Sequence, residues 1–522
     1  MMSMIMRLIG AVALLGCAQL QAAELTIGRS TEPSSIDPLF ARTGNNQMTA
    51  NHMFESLTTT DANLQLLPSL ATAWKVVDPL TWEIKLRSGV TFSDGSALTP
   101  QDVIYSLQRA RMVPNSPAPF SGAVAAVASV EEKDGDSIII RTRTPSPQLI
   151  ETLGIVFIMS KTASEGKTTA ELNEGKGLIG TGPYRFVSWR RSDQLVLEAN
   201  TAYWGGKQAF DKVTLKFIPN AQTRSAALLS GQVDLIEEAP VNDLDVMRNK
   251  GFGVYGIETG RIVYLALDSA RTVSPFITDA QGKPLDPNPL KDARVRRAMS
   301  LMIDRNVLVA RLLNGSGVPA AQMVPQGLGG YDASIRVEKA DAVAAKKLLT
   351  EVGYPNGFGI TVHTSSDRFP FDRDVGQALG QFFSRGGLKL NGVEAQIYAV
   401  YATAASKQEF SAFVFSYGLT TPSVANALQL IIATNDQAKG TGSFNRARYS
   451  NAAFDAALEV ALAEFDEAKR NAALTKVAHL AHDDMAVIPL YFQKLYWAVR
   501  PGLTYAPGKD ERTVAMQVGV QK

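Results

Sequence analysis

The residues best equipped for chemistry lie in the run Asp367-Arg368-Phe369-Pro370-Phe371-Asp372-Arg373, where two guanidinium groups precede a helical pattern. A planar guanidinium pairs in a bidentate way with a carboxylate or phosphate, so Arg368 and Arg373 are candidates to hold an anionic ligand group. The alternative is that each is a solvated helix-start residue paired with Asp367 or Asp372. Other reactive types are sparse. Of four histidines, His479 and His482 form the one i, i+3 pair, and nothing nearby supplies a third and fourth ligand, so no metal site is expected. There is no G-x-S-x-G and no H-E-x-x-H, and Gly166-Lys167-Thr168 lacks the upstream glycine of a phosphate-binding loop. These residues fit recognition rather than catalysis; neither an enzyme nor a cofactor is expected.

The elements that must position such residues are mixed. Arg373 to Arg385 reads as an amphipathic helix, with Val375, Ala378, Leu379, Phe382 and Phe383 on one face and Gly386-Gly387 as its stop. Asp292 to Arg305 is a second, with Val295, Ala298, Met299 and Met302 as its core stripe, and Ala452 to Met485 reads as two more helices. In Thr81 to Arg109 the period switches: Trp82, Ile84 and Leu86 alternate as in a half-buried strand. Ser93-Asp94-Gly95-Ser96 then turns, and Thr99-Pro100-Gln101-Asp102 starts a capped helix. Together with the strand-like runs LTIGRS, DSIIIRTRT, QLVLEAN and KVTLKFIPN, this alternation implies α/β lobes. Thr278 to Pro289 and Pro325 to Asp332 read as surface loops.

The N-terminal residues resemble an export signal: Arg7, an apolar run from Leu8 to Leu15, and a small-residue exit at Ala22-Ala23. The run is too short to span a membrane, which takes about 20 residues. Residues 1–23 are therefore expected to be a signal peptide, and the mature protein to be periplasmic. The single cysteine, Cys17, lies within it, so no disulfide is expected; Leu14-Leu15-Gly16-Cys17 alternatively resembles a lipoprotein box that would anchor the chain at Cys17. Roughly 500 remaining residues exceed the ~250–300 at which single cores stop growing, so two or three domains are expected. With 52 basic and 50 acidic side chains, bulk charge gives no reason to expect a nucleic-acid partner.

Separated blocks resemble one family in order: EPSSIDP (Glu32 to Pro38), LATAWKV, the Thr81 to Arg109 segment, GTGPYRF (Gly180 to Phe186), NTAYWGGK with FDKV, RSAALLSGQVDLI, LKDARVRRAMSLMIDR, AKKLLTEVGYPNGF, RYSNAAFD and AVIPLYFQ. They are similar to the family 5 extracellular solute-binding proteins, which bind peptides, nickel or opines for ATP-binding cassette (ABC) importers. The resemblance implies a type II (cluster C) periplasmic binding protein fold, with two lobes joined by a hinge and an extra subdomain in the first. Lobe I would comprise 24–262 plus 491–522, with a subdomain inserted at about 58–178, and lobe II 263–490. The chain would cross between them at Glu258 to Tyr264 and Leu490 to Arg500.

The same resemblance implies a monomer that captures a peptide or similar polar metabolite and passes it to transmembrane subunits of the importer. Metal chelates and opine- or sugar-conjugates are the alternative ligands. Arg373 falls where the family's carboxylate-binding Arg lies. Peptide-binding members hold the ligand's α-amino group with an Asp in a Trp-x-x-Asp-like stretch; here Tyr417 stands at the aromatic and Thr420 at the acid. A hydroxyl does not neutralise a buried ammonium, so the amine anchor for free short peptides is in doubt. The loop Glu32 to Asn46 would approach the cleft. There Glu32 offers a carboxylate, Asn45 and Asn46 offer amides, and surface or capping roles are the alternatives. Trp189 and Trp204 would pack within their lobe. The run GSFNRARYSN, with Arg446, Arg448 and Tyr449, resembles a subgroup whose ligands are diverse.

Overall fold

In the computed structural model, which describes residues 23–419, 421–437 and 439–521, two long antiparallel strands, Gly253–Leu267 and Ile488–Val499, pair over most of their length. The runs expected to cross between lobes lie largely within these strands. Their outer neighbours differ from one end to the other. Ala498 and Val499 pair with Leu235–Ile236, and the sheet continues through Glu24–Arg29, Lys212–Phe217, Gln194–Ala199 and Tyr184–Arg190. At the opposite end Arg261 to Leu267 pair with Ala412–Gly418, followed by Gly359–Ser365 and Ile277–Thr278. One sheet therefore passes through both lobes.

The register slips between Glu258 and Ile262, midway along the shared strands. Such an irregularity frees ladder groups that need other partners. Gly260 N donates to Lys509 O, Leu419 N to Gly260 O, and the Thr259 hydroxyl to Gln493 O. The C-terminal tail is thus pinned at the middle of the sheet.

Beyond this point both faces are covered. Ile262, Tyr264 and Ala266 join Phe413 and Phe415 in a core closed by the helices Tyr398–Ser406, Ala452–Ala463 and Glu467–Asp483. Val263, Leu265 and Leu267 point the other way, onto Ala293–Met302 and Asp372–Arg385. Burial on both faces explains why Ile262 to Leu267 reads as a continuous apolar run rather than an alternating one.

A separate four-stranded antiparallel sheet, built from Ala71–Asp78, Thr81–Leu86, Val127–Asp134 and Ser137–Thr142, carries the segment with the period switch. Trp82, Ile84 and Leu86 are 5%, 0% and 3% exposed, and helix Pro100–Arg109 starts with the expected Thr99/Asp102 capping box. Two of the recognisable blocks hold this unit in place. Buried Asp37 pairs with Arg109 and accepts from Thr169. In GTGPYRF, Gly182 N donates to Met53 O, and a Cβ on Gly180 would sit 2.1 Å from that same oxygen, an approach open only to glycine.

Away from the shared strands the lobes touch again. Gln148 Nε2 donates to Ser423 Oγ at 2.9 Å, the Trp82 and Phe465 rings lie 6.4 Å apart, and Asn314 donates to Asn242 at 3.1 Å. The arrangement is closed. No described helix is long and apolar enough to cross a membrane.

Candidate functional site

Ala412–Gly418 carries Tyr417 at its end, within electrostatic reach of Arg42 from the loop of the first lobe. Tyr417 is half-buried; burial holds its hydroxyl pKa above the ordinary value, opposed by the charge of Arg42 from the other lobe. Arg42 itself is half-buried, and burial lowers its guanidinium pKa. Beside Tyr417, at 6.4 Å, lies the ring of Phe444, and the guanidinium of Arg446 stacks 4.4 Å from the Phe415 centroid.

Arg368 precedes Asp372–Arg385, its backbone N–H held by Asp372 Oδ2 at 2.9 Å. Its side chain is exposed, with the guanidinium 5.0 Å from the centre of the Tyr398 ring. Loss of bulk water lowers its pKa, the like charge of Arg261 adds to this, and Tyr398 and Glu511 oppose it. Arg261 shows the contrary case. Burial pulls its pKa down, but Glu511, bound through Nε and Nη2 at 3.0 and 2.6 Å, leaves it raised.

The other residues singled out in the sequence are placed differently. Arg373 is exposed at the start of its helix, with its N–H on Asp372 Oδ1 and no ion pair among the described residues. Glu32 accepts from Ser192 N at 3.1 Å and lies 3.9 Å from Arg191. Asn46 is buried and bonds Ser34 and Thr43, while the Asn45 carbonyl accepts from Thr49 Oγ1. These three are engaged within their own lobe. Thr420 lies outside the described residues, as do residues 1–22 with Cys17.

Trp189 stacks under Arg191 at 3.5 Å, and Trp204 donates to Glu55 at 2.8 Å. His479 pairs with Asp332 and His482 meets Ala321 O. No group of three or more His, Cys, Asp or Glu side chains placed to hold a metal occurs among the described residues. Sequence reasoning passed over Arg42, Arg261, Tyr398 and Glu511. Arg42 sat inside a loop already singled out, and Arg261 inside a crossing run, but their neighbours in space are remote in sequence.

A family profile described as "Bacterial extracellular solute-binding proteins, family 5 Middle" matches residues 65–439. The chain belongs to this family. It is the solute-binding component of an ABC importer and has the hinged, two-lobed type II periplasmic binding protein fold. Among curated relatives, this binding protein is 26% identical over 451 residues to Heme-binding protein A of Haemophilus influenzae, covering 81% of this chain and 78% of that one. It is also 26% identical over 506 residues to the Glutathione-binding protein GsiB of Escherichia coli K12, covering 95% and 94%. The periplasmic binding protein DppA from Helicobacter pylori in complex with the peptide STSA superposes with a TM-score of 0.78 at 22% identity, over 96% of this chain and 99% of that one. HbpA2 from Haemophilus parasuis gives 0.79 at 21%, over 96% and 100%.

Proposed function

We propose that this protein is a monomeric periplasmic receptor, exported by residues 1–23, that captures a peptide-like, carboxylate-bearing metabolite between its lobes and performs no chemistry on it. Lobe I is assigned to 24–262 plus 491–522, with the inserted subdomain at about 58–178, and lobe II to 263–490. The relatives that bind heme and glutathione favour a small-molecule ligand over nucleic acid. The observation that carries the reading is the exposed Arg368 guanidinium set 5.0 Å from the Tyr398 ring centre, near the paired Arg261 on the strands shared by the two lobes.

A ligand touching both walls favours the closed state and shifts the population towards it, which is the form the importer would read. Micromolar affinity requires roughly 8 kcal/mol, within reach of a buried, well-paired small ligand after the cost of closure. Arg368, Tyr417 and Thr420 are assigned contacts with the ligand, Arg373 the rim, and Glu32, Asn45 and Asn46 support of the loop that carries Arg42.

Native mass spectrometry of the protein as purified should show a retained ligand mass. Returned to stripped protein, that ligand should raise the melting temperature and reduce the radius of gyration; a bound protein that stays open would overturn the reading. Alanyl-alanine should bind weakly, because an ammonium buried without its acid costs several kcal/mol. A submicromolar complex would show that another carboxylate serves.

A further inference from the structure

We propose that the hairpin of strands Thr58–Thr60 and Leu66–Pro68 is a closure latch: its tip belongs to the first lobe, and the side chain of Leu64 at that tip seats in the core of the second, holding the lobes together. This rests on the lobe boundaries assigned above and concerns what keeps the cleft shut rather than what fills it.

The second-lobe core around Tyr264, Phe413 and Phe415 draws its described members from Ile262 onwards, with one exception. Leu64 is part of it, 0% exposed, although Ala62, Asn63 and Gln65 beside it face solvent. A Cβ placed on Gly260 would sit 3.4 Å from Leu64 Cδ1 and 3.2 Å from Leu419 Cβ, so the glycine of the shared strand leaves room for both leucines.

The backbone of the tip stays with the first lobe. Asp61 O accepts from Leu64 N at 3.0 Å, and Asp61 Oδ1 accepts from the N–H groups of Asn63 and Gln65 at 2.8 Å. Lys509, in the C-terminal tail assigned to that lobe, donates to Ala62 O at 2.8 Å and accepts from Gly260 N at 2.8 Å. Leu64 is held at φ +68°, in the left-handed region that a bulky side chain rarely adopts. Glycine or asparagine would sit there with less strain, but neither would fill an apolar core. The strain persists because burial of a whole leucine side chain outweighs it.

Opening moves the second-lobe core away and must withdraw Leu64 into water, while the tip remains on the tail. Only the closed form has the burial, so Leu64 biases the equilibrium between open and closed before any ligand does.

The test uses the full mature chain, stripped of retained ligand, with spin labels on cysteines introduced at Ala170 and Ala456, exposed on helices of the first and second lobes. The distance distribution should contain a short and a long population. Leu64→Ala should lower the ratio of short to long about tenfold, and so should Leu64→Gly, which also relieves the backbone. Both variants should melt within a few degrees of the parent, because the open form is folded without the contact.

Variants that fail to fold, or that keep the parent's ratio, would overturn the latch and make Leu64 ordinary core shared by both states. So would a parent with no short population. In each case the capture reading stands if returning the retained ligand shortens the distance; a distance that stays long with that ligand bound would overturn the capture reading instead.

Discussion

Glu237→Ala is expected to destabilise the protein by about 3–5 kcal/mol, the cost of leaving a buried charge without its partner. Arg29 and Glu237 are 1% and 5% exposed and meet at 2.7 Å, so water cannot replace the lost carboxylate. The same carboxylate accepts from Ser30 N at 2.7 Å and from Ser30 Oγ at 2.8 Å. Ser30 opens the loop that ends at Arg42, so ligand affinity should fall with stability. Glu237→Gln keeps an acceptor for Ser30 and should lose less. In the double variant Arg29→Met/Glu237→Leu no charge is stranded, and urea unfolding should recover part of the loss. If the double variant unfolds as early as Glu237→Ala, the stranded guanidinium is not the cause.

What could be read from the sequence was local. The Thr99/Asp102 cap and the stripe of Val295, Ala298, Met299 and Met302 depend on residues within a turn or two of one another, and both stand in the structure. Boundaries moved where local chemistry competed. The helix expected from Asp292 to Arg305 spans Ala293–Met302, because Asp304 caps a new turn at Arg305–Val307. The helix expected from Arg373 begins at Asp372, whose carboxylate holds the N–H groups of Arg368 and Arg373.

The blocks that carry the family resemblance are largely scaffold. Asp37 of EPSSIDP anchors Arg109, and the glycines of GTGPYRF admit a neighbouring backbone. The cleft was harder to read because its partners are far apart in sequence. Glu511 lies 250 residues beyond Arg261, and the charge of Arg42 acts on a tyrosine of the other lobe. No periodicity or short motif marks such a pairing. Tyr398, at the start of Tyr398–Ser406, carries no signal as a lone aromatic on a helix end; only its contact with Arg368 gives it meaning.

Raising the pH from about 4.5 to about 7 should destabilise the folded protein through Glu151, and Glu151→Gln should abolish that contribution. Glu151 sits in Leu149–Leu153 at the lobe contact that Gln148 makes with Ser423. Its Oε2 is buried with no hydrogen-bond partner among the described residues. Burial lifts its pKa from 4.5 to about 7; across the seam, Arg470 opposes the shift and Glu467 adds to it. Arg470 does not form an ion pair with it, spending Nη1 on the carbonyls of Glu464 and Phe465. The raised pKa means that the folded, closed protein takes up a proton more readily than the unfolded chain. Below about 4.5 both states are protonated and there is no penalty; through about 7 the folded state pays increasingly for the charge. A rise from 4.5 to about 7, at about 1.4 kcal/mol per unit, is on the order of 3 kcal/mol. Buried His52 works in the opposite direction, its pKa lowered to about 4 by burial and by Arg29, so the raw pH profile mixes the two. The difference between wild type and Glu151→Gln isolates the carboxylate. The variant should melt higher than wild type at pH 8, and the gap should close by pH 4.5. A gap that is constant with pH would show that Glu151 is already neutral, or already solvated, throughout.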